Sequence, residues 1–237
     1  MSSQESGAKL ALVTGTSRGI GAATAEALAA AGYHVVLTAR DAAGLADVEN
    51  RIHDAGGSAT IAPMDLTDGD SIGRLATAIS GRWDALDVLV LNAAMLGTLT
   101  PVPHIDPKEF ARVMTLNVTA QATMIAAFDS MLRASKDARV IGVTSSVGAT
   151  PRAYWGAYGA SKAAFDTLLG AYADETNGRI KVAVLDPGAT RTAMRARAYP
   201  GEDPASLKGP EVVAERIVQA LREGFDSGQR LSVNPVG

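Results

Sequence analysis

A glycine-rich turn between an apolar segment and an Ala-rich segment restricts the folds open to this chain more than any other feature. Lys9 to Thr14 (KLALVT) predicts a short buried strand, and an Ala-rich helical segment runs to Ala31. Between them lie Gly15, Gly19 and Gly21. Glycines let a backbone approach a pyrophosphate closely, and a helix N-terminus offers free N–H groups and a partial positive charge. The stretch therefore predicts a phosphate-binding loop, with an ordinary tight turn as the alternative.

Apolar segments of strand length alternate with helical segments along the rest of the chain of 237 residues. Alternation at this rhythm is typical of a parallel sheet with helices on both faces. We therefore predict an α/β protein, a single-domain doubly wound Rossmann fold with a parallel sheet of about seven strands. This domain is expected at residues 8–237, after a disordered leader at 1–7. The further strands are expected at 33–38, 59–63, 87–91, 139–143, 180–185 and 231–233.

Composition excludes several classes of protein. The chain has no cysteine, so it forms neither a disulfide nor a thiolate metal site, and its three histidines lack clustered spacing. No metal site is expected. No apolar run is long enough to span a membrane, and the polar N-terminus lacks the apolar core of a secretory signal. We therefore expect a cytoplasmic protein without a membrane partner. A net charge of −3 provides no electrostatic footprint for nucleic acid.

The end of the second predicted strand indicates which dinucleotide the chain would bind. In dinucleotide-binding sheets an acidic residue at this place holds the ribose 2′-hydroxyl. This chain has Ala39 followed by Arg40, and Arg18 lies in the glycine-rich turn. Two guanidiniums without a carboxylate suit a 2′-phosphate. The pattern favours NADP(H) as the cofactor, with NAD(H) as the alternative. Arg40 as a solvated residue at a strand end is the competing interpretation.

Two further strand ends carry candidate ligand contacts. Asp65 follows the third strand, where it could accept a hydrogen bond from an adenine amino group or begin the turn into a helix capped by Asp68. Asn92, Ala93 and Ala94 follow the fourth strand, and such small residues leave room for a ligand. Ligands of doubly wound sheets bind beyond the carboxyl ends of the strands. We therefore expect these residues at one site.

A tyrosine and a lysine one helical turn apart form the candidate catalytic pair. Tyr158 and Lys162 share one face of a predicted helix, and Ser145 precedes the tyrosine in a loop after the fifth strand. The lysine charge favours phenolate and is expected to lower the pKa of Tyr158, so that the phenol can exchange a proton near neutral pH. Ser145 could hold a substrate carbonyl. By itself, the Tyr–Lys spacing also fits an ordinary surface helix.

Two other features allow a functional and a structural interpretation. Asn117 lies on the apolar stripe of a long helix expected to run from 107 toward 135, where an unpaired amide is costly. It is either a relay residue near the active site or a buried asparagine that bonds nearby backbone. The Arg-rich, weakly patterned segment at about 189–209 is either a mobile lid over a cleft or a plain surface connection.

Taken together, the motifs resemble the classical short-chain dehydrogenase/reductase (SDR) family over about residues 8 to 234. The resemblance rests on their combined order and spacing, because each motif by itself is common. It departs from the family pattern at Leu91, where the family often has a second asparagine, and at Ala94, where a glycine is common. It also lacks the glycine-rich C-terminal tail of many members. The matching elements are T-G-x-x-x-G-x-G at 14–21, N-A-A at 92–94, Asn117, Ser145, Tyr158, Lys162 and the Pro187-Gly188 turn.

The resemblance implies a role for each motif residue. Tyr158 would be the general acid for carbonyl reduction or the base for alcohol oxidation, and Lys162 would lower its pKa and bind the nicotinamide ribose. Ser145 would hold the substrate oxygen, selected over Ser146 by the family spacing, and Asn117 would anchor a water of a proton relay. The implied cofactor-binding residues are Gly15, Ser17, Arg18, Gly19, Ile20, Gly21, Arg40, Asp65, Leu66, Asn92, Ala93, Ala94, Tyr158, Lys162, Pro187, Gly188, Thr190 and Thr192.

The sequence thus predicts an NADP(H)-dependent oxidoreductase that acts on a small-molecule carbonyl compound or secondary alcohol. The alternatives are a nucleotide-binding regulator without catalysis, and an epimerase or dehydratase on the same scaffold. By analogy with the family, a homodimer or homotetramer is expected. An apolar substrate cleft is predicted, lined by Met95, Leu96, Leu99, Val147, Tyr154, Trp155, Met194 and Tyr199; several of these could equally be ordinary core or loop residues. An anionic substrate could meet Arg191, Arg195 and Arg197, with a solvated basic segment as the alternative.

Overall fold

The computed structural model describes residues 9–233, and these form one seven-stranded parallel sheet covered by helices on both faces. This confirms the predicted fold class. The strands are β1 (Lys9–Thr14), β2 (Tyr33–Ala39), β3 (Ser58–Pro63), β4 (Val88–Leu91), β5 (Ala138–Val143), β6 (Ile180–Asp186) and β7 (Gln229–Ser232). The α-helices are α1 (Gly19–Ala30), α2 (Ala42–Asp54), α3 (Gly69–Ser80), α4 (Pro107–Met114), α5 (Ala120–Ala134), α6 (Ser146–Ala149), α7 (Gly156–Thr176), α8 (Ala193–Ala198) and α9 (Pro210–Glu223).

The strand order places the candidate motifs at one point of the sheet. The order is β3-β2-β1-β4-β5-β6-β7, so the chain builds outward from β1 in one direction and then crosses back to β4. The carboxyl ends of β1 and β4 therefore meet where the order reverses, which is where doubly wound sheets bind ligands. The glycine-rich turn follows β1, and Asn92 follows β4.

Alternate side chains of β1 belong to different halves of the core. Leu10 and Leu12 pack with residues of α3, α5 and α7 on one face, and Ala11 and Val13 pack with α1 and α2 on the other. Successive strand side chains point to opposite faces, so a strand covered on both sides is apolar throughout. Burial on both faces accounts for the continuous apolar segments in the sequence.

The long helix predicted at 107–135 contains a local irregularity. Between α4 and α5, residues Thr115–Thr119 form a π-helical turn, and Asn117 lies in its middle. Such turns occur mostly as single insertions in α-helices, often at functional sites. The carbonyl of Leu116, within this turn, accepts a hydrogen bond from the Gln121 side chain at 2.9 Å.

The segment at 189–209 is more regular than its sequence suggests. It contains α8 and a short 3₁₀ helix at Pro204–Ser206, and Thr190 pairs with Lys208 in an isolated bridge. Whether it moves stays a prediction. The predicted leader at 1–7 lies outside the described residues. Across residues 9–233, no helix combines the length and hydropathy needed to cross a bilayer.

Candidate active site

A cleft of about 980 Å³ opens beyond the carboxyl ends of the strands. It brings together nearly all of the residues that the sequence predicted for a site. Gly21 and Asn117 do not line it but support its wall from behind. The predicted residues that line the cleft are Gly15, Ser17, Arg18, Gly19, Ile20, Arg40, Asp65, Leu66, Asn92, Ala93, Ala94, Ser145, Tyr158, Lys162, Pro187, Gly188, Thr190 and Thr192.

The glycine-rich turn has the backbone geometry of a phosphate cradle. Gly15 and Gly19 have φ values of +73° and +62°, which side-chain-bearing residues rarely adopt. Arg18 is the N-cap of α1, and its side chain makes no capping hydrogen bond. The N–H groups of the first helical turn therefore stay available to a ligand. A side chain at Gly21 would run into the carbonyl of Gly15 and come within 2.6 Å of the Asn92 amide nitrogen. Gly21 therefore allows α1 to pack closely on the turn.

The Asn92 element is tied to the same turn. The side chain of Asn92 donates to the carbonyl of Thr14 at 2.9 Å and to that of Gly15 at 3.3 Å. In return, the hydroxyl of Thr14 accepts from the backbone N–H groups of Asn92 and Ala93 at 2.9 and 3.0 Å. These bonds join the ends of β1 and β4, so the cleft floor is rigid at the switch point.

Two arginines and two carboxylates line the end of the cleft beside β2 and β3. Arg18 and Arg40 are exposed there. The Asp65 carboxylate accepts from the N–H and hydroxyl of Thr67 at 2.9 and 2.8 Å, and these bonds are the main cause that lowers the pKa of Asp65. Asp65 thus forms the turn that was its structural interpretation. Asp41 caps α2 through the N–H of Gly44.

Tyr158, Lys162 and Ser145 line the other end of the cleft. Tyr158 and Lys162 project from one face of α7 and are buried, with 7% and 3% of their surface exposed. The Lys162 ammonium donates to the carbonyl of Val143 at 2.8 Å and lies 5.7 Å from the centre of the Tyr158 ring. Ser145 begins α6, where its hydroxyl accepts a long hydrogen bond of 3.5 Å from the N–H of Val147.

The pKa of Tyr158 does not follow the sequence-based expectation. Burial raises it above its usual value of 10.0, and the carboxylates of Asp186 and Asp166 raise it further. The prediction of a lowered pKa is therefore wrong, because burial and the two nearby carboxylates all disfavour the phenolate. Burial also lowers the pKa of Lys162 to about 8, against an opposing effect of Asp166.

Asn117 holds the loop after β4 against α7. Its amide oxygen accepts from the N–H of Met95 at 2.8 Å, and its nitrogen donates to the Met95 carbonyl and the Ser161 hydroxyl, each at 2.9 Å. The side chain is 1% exposed, and these bonds satisfy its polar groups. The structural interpretation of Asn117 is confirmed. Its part in a proton relay stays a prediction.

An apolar wall adjoins Tyr158, and four of the residues predicted for it line the cleft: Met95, Leu96, Trp155 and Met194. The prediction is wrong for Tyr154 as a cleft residue, since this side chain is 59% exposed. Tyr199 instead joins the segment at 189–209, called the lid segment below, to residues that precede α7. Its ring lies 5.8 Å from that of Trp155, and its hydroxyl accepts from Arg152 at 2.7 Å.

The three lid arginines have different surroundings. Arg195 forms a two-point ion pair with Glu202 and stacks on Tyr199, with the guanidinium 3.8 Å from the ring centre. Arg197 donates to the carbonyl of Gly97 at 3.2 Å and so links the lid segment to the loop after β4. Arg191 is exposed at the rim of the cleft.

Comparison with known proteins identifies the family. The family model described as short chain dehydrogenase matches residues 9–203 of this chain. The chain belongs to the short-chain dehydrogenases. This family is one of oxidoreductases, and the recognition made from the motifs is confirmed.

Relatives of this short-chain dehydrogenase cover most of its length. It is 36% identical over 205 residues to the uncharacterized oxidoreductase YciK of Escherichia coli K12, covering 85% of this chain and 81% of YciK. Mycobacterial relatives are longer, and the chain spans 56% of their length. A solved short chain dehydrogenase of Shigella flexneri complexed with NADP has a TM-score of 0.92 at 33% identity, covering 96% and 97% of the two chains. One of Escherichia coli CFT073 complexed with NADPH has a TM-score of 0.91 at 34% identity, with the same coverage.

Sequence reasoning missed several residues of this short-chain dehydrogenase that support the site. Gln121 is buried and donates to the carbonyl of Ala93 at 3.1 Å, which fixes the cleft wall. Its position four residues after Asn117, on the same buried helix face, is a signal that could have found it. Asp41 lines the cleft beside Arg40. Among residues 9–233, no group of three or more potential metal-binding side chains is found.

Proposed function

We propose that this short-chain dehydrogenase transfers a hydride between NADP(H) and a carbonyl compound or secondary alcohol, with Tyr158 as the general acid or base. One observation carries the proposal: a single cleft is lined by a glycine-rich turn suited to a pyrophosphate and, at its other end, by Tyr158, Lys162 and Ser145. A binding protein without catalysis has no need of the second group of residues.

The residues present fit a nicotinamide dinucleotide. The positive φ values of Gly15 and Gly19 let the turn approach a pyrophosphate, and the uncapped first turn of α1 offers N–H donors to it. Pro187, Gly188 and Thr192 line the same cleft and would hold the nicotinamide end. When bound, the dinucleotide would supply or accept the hydride.

The side chains then have distinct tasks in carbonyl reduction. The Ser145 hydroxyl donates a hydrogen bond to the substrate oxygen and orients it. The Tyr158 hydroxyl gives its proton to that oxygen as hydride reaches the carbon, so the carbonyl becomes an alcohol. Lys162, as an ammonium, stabilises the tyrosinate that remains until solvent returns a proton. A pKa raised by burial keeps Tyr158 protonated, which is the form that reduction requires.

The cofactor preference rests on charge at the β2 end of the cleft. Arg18 and Arg40 are exposed there, and a 2′-phosphate suits paired guanidiniums. Asp41 and Asp65 line the same region, but each carboxylate accepts a hydrogen bond from its own turn. The solved relatives complexed with NADP and NADPH support the same preference.

The substrate class follows from the wall beside Tyr158. Leu96, Trp155 and Met194 are apolar, so we propose a small or medium-sized hydrophobic carbonyl compound. Arg195 is already neutralised by Glu202, and Arg197 bonds to a backbone carbonyl, so the lid arginines support the fold of the lid segment before they meet any substrate.

The proposal is tested by a screen of aldehydes and ketones with NADPH and NADH in parallel, followed through the absorbance of the reduced nicotinamide. We expect turnover on apolar carbonyl compounds, faster with NADPH. A protein that binds NADPH but turns over no member of a broad panel would contradict the proposal. Substrate conversion without net change in that absorbance would instead indicate an epimerase or dehydratase. The homodimer or homotetramer and the cytoplasmic location stay predictions, to be tested by light scattering and by cell fractionation.

A further inference from the structure

Arg230 of β7 joins three separate parts of the active site through one guanidinium. Its Nη1 donates to the Asp166 carboxylate at 2.7 Å, and its Nη2 donates to the Ser145 carbonyl at 3.0 Å. Nη2 also lies 3.9 Å from the Asp186 carboxylate. Nothing in the sequence marks this residue, because 85 positions separate it from Ser145.

Each of the three partners belongs to an element that carries a reacting or binding group. Ser145 is the proposed substrate-orienting residue. Asp166 lies on α7 one turn after Lys162 and two turns after Tyr158, so the three share a helix face. Asp186 ends β6, and its carboxylate accepts from the N–H of Gly188 at 3.0 Å in the turn proposed to hold the nicotinamide. Arg230 thus fixes these elements relative to one another.

The position of Arg230 in the sheet explains how it reaches them. β7 pairs in parallel with β6, and Arg230 lies opposite Val184. The next residue, Leu231, packs with α9 on one face of the sheet, so Arg230 projects from the other face toward α7. A guanidinium can donate two hydrogen bonds in fixed directions, which a lysine ammonium at the same place cannot reproduce.

Arg230 also offsets the negative charge near the catalytic pair. The charged groups that face this region are Asp166 and Lys162 on α7, Asp186 on β6, Arg230 on β7 and Lys208 in the lid segment. The two carboxylates raise the pKa of Tyr158, and Asp166 raises that of Lys162. The Asp166 side chain in this ion pair is 17% exposed and that of Arg230 is 36% exposed, so solvent screens the pair from the arginine side.

We propose that Arg230 is a positioning residue for the reaction, which sets Ser145 against α7 and balances the carboxylates beside Tyr158 and Lys162. The inference rests on the proposed function. Arg230 touches neither cofactor nor substrate in this assignment and acts through Ser145, Asp166 and Asp186.

The test compares Arg230→Met, Arg230→Lys and the double variant Arg230→Met with Asp166→Asn. Wild-type turnover of the same carbonyl substrate with NADPH is measured first, which tests the proposed function separately. For Arg230→Met we expect kcat to fall about 10- to 100-fold through misplacement of Ser145, with a smaller change in KM. The alkaline limb of its pH profile should move to higher pH, because Asp166 and Asp186 lose their counter-charge.

The other two variants separate position from charge. Arg230→Lys should lower kcat but leave the alkaline limb near that of the wild type, since the charge is kept. In the double variant, the alkaline limb of the pH profile should lie nearer to that of the wild type than in Arg230→Met, because a negative charge is removed together with the positive one. Arg133→Met is the matched control: Arg133 has a similar exposure, 41% against 36%, and an ion pair of the same length, 2.7 Å, with Asp129 on α5. It should change neither kcat nor the limb.

Two results would overturn the inference. One is an Arg230→Met protein with the kcat and pH limb of the wild type. The other is a fall in kcat that parallels a loss of folded protein in all three variants, with the pH limb of the wild type, which would show that Arg230 only stabilises the fold. Thermal unfolding of each variant is measured alongside, and if Arg230→Met does not fold, Arg230→Lys and the double variant decide the question.

Discussion

The ammonium of Lys162 donates to the carbonyl of Val143 at 2.8 Å and lies 5.7 Å from the centre of the Tyr158 ring. Its hydrogen bond therefore goes to the end of β5, and its charge lies within cation–π range of the phenol ring. The pair has opposite pKa shifts: burial raises that of Tyr158 and lowers that of Lys162 to about 8. Both neutral forms are favoured, as expected for ionisable groups removed from water.

Replacement of Tyr158 by Phe tests the proposed acid. The ring keeps its packing against Leu96 and Val147, but the proton that completes carbonyl reduction is lost. We expect kcat to fall by about 10²- to 10⁴-fold, the usual contribution of a positioned acid or base, while NADPH still binds. Steady-state kinetics and a binding titration with NADPH measure the two effects. Turnover at the wild-type rate would show that another group supplies the proton.

Replacement of Arg40 by Asp tests the cofactor preference. A carboxylate at this place repels a 2′-phosphate and can accept from a ribose hydroxyl. We expect KM for NADPH to rise about 10- to 100-fold, because a charge-assisted hydrogen bond is worth about 1.5–3 kcal/mol, and the preference to shift toward NADH. Arg82→Asp makes the same charge change at an exposed residue outside the cleft and should leave the ratio unchanged. An unchanged ratio in Arg40→Asp would exclude Arg40 as the discriminating contact.

The buried lysine predicts an unusual dependence of stability on pH. The folded pKa of Lys162 is about 8, below its ordinary value of 10.5, so between these values the unfolded chain binds one more proton than the folded one. Stability contributed by this group therefore rises as pH increases from about 8 to 10.5 and is lowest below 8. Denaturant unfolding of wild type and Lys162→Met at several pH values measures it. The wild type should gain stability relative to the variant across this window; a constant difference would contradict a depressed pKa.

The sequence was sufficient for the fold and for most of the cleft, because both depend on local patterns. Apolar strand segments alternate with helical segments along the chain, and the glycine-rich turn follows the first strand. Because ligands of such sheets bind beyond the strand ends, the motifs at those ends are expected at one site. The electrostatic surroundings were not predictable in this way. The pKa of Tyr158 depends on how deeply α7 is buried and on Asp186, a residue of another strand. The contact of Arg230 with Ser145 joins residues far apart in the chain.

Replacement of Gly21 by Ala tests how closely α1 must pack on the phosphate-binding turn. A methyl group there would meet the carbonyl of Gly15 and the amide of Asn92, both of which hold the ends of β1 and β4 in place. Because both contacts involve groups that are already hydrogen-bonded, the backbone has to shift, and such overpacking costs about 1–3 kcal/mol. We expect weaker NADPH binding together with a lower free energy of unfolding.

Gly73→Ala is the matched control for this change. Gly73 is also a helical glycine, in α3, and a methyl group there has no atom within 4 Å. Replacement of an unobstructed helical glycine by alanine stabilises a protein by about 0.5–1 kcal/mol, so this variant should unfold at higher denaturant concentration and bind NADPH as the wild type does. The two variants make the same chemical change in a helix, so their opposite effects isolate the contact with the turn. If Gly21→Ala behaved like Gly73→Ala, the close approach of α1 to the turn would not be required for cofactor binding.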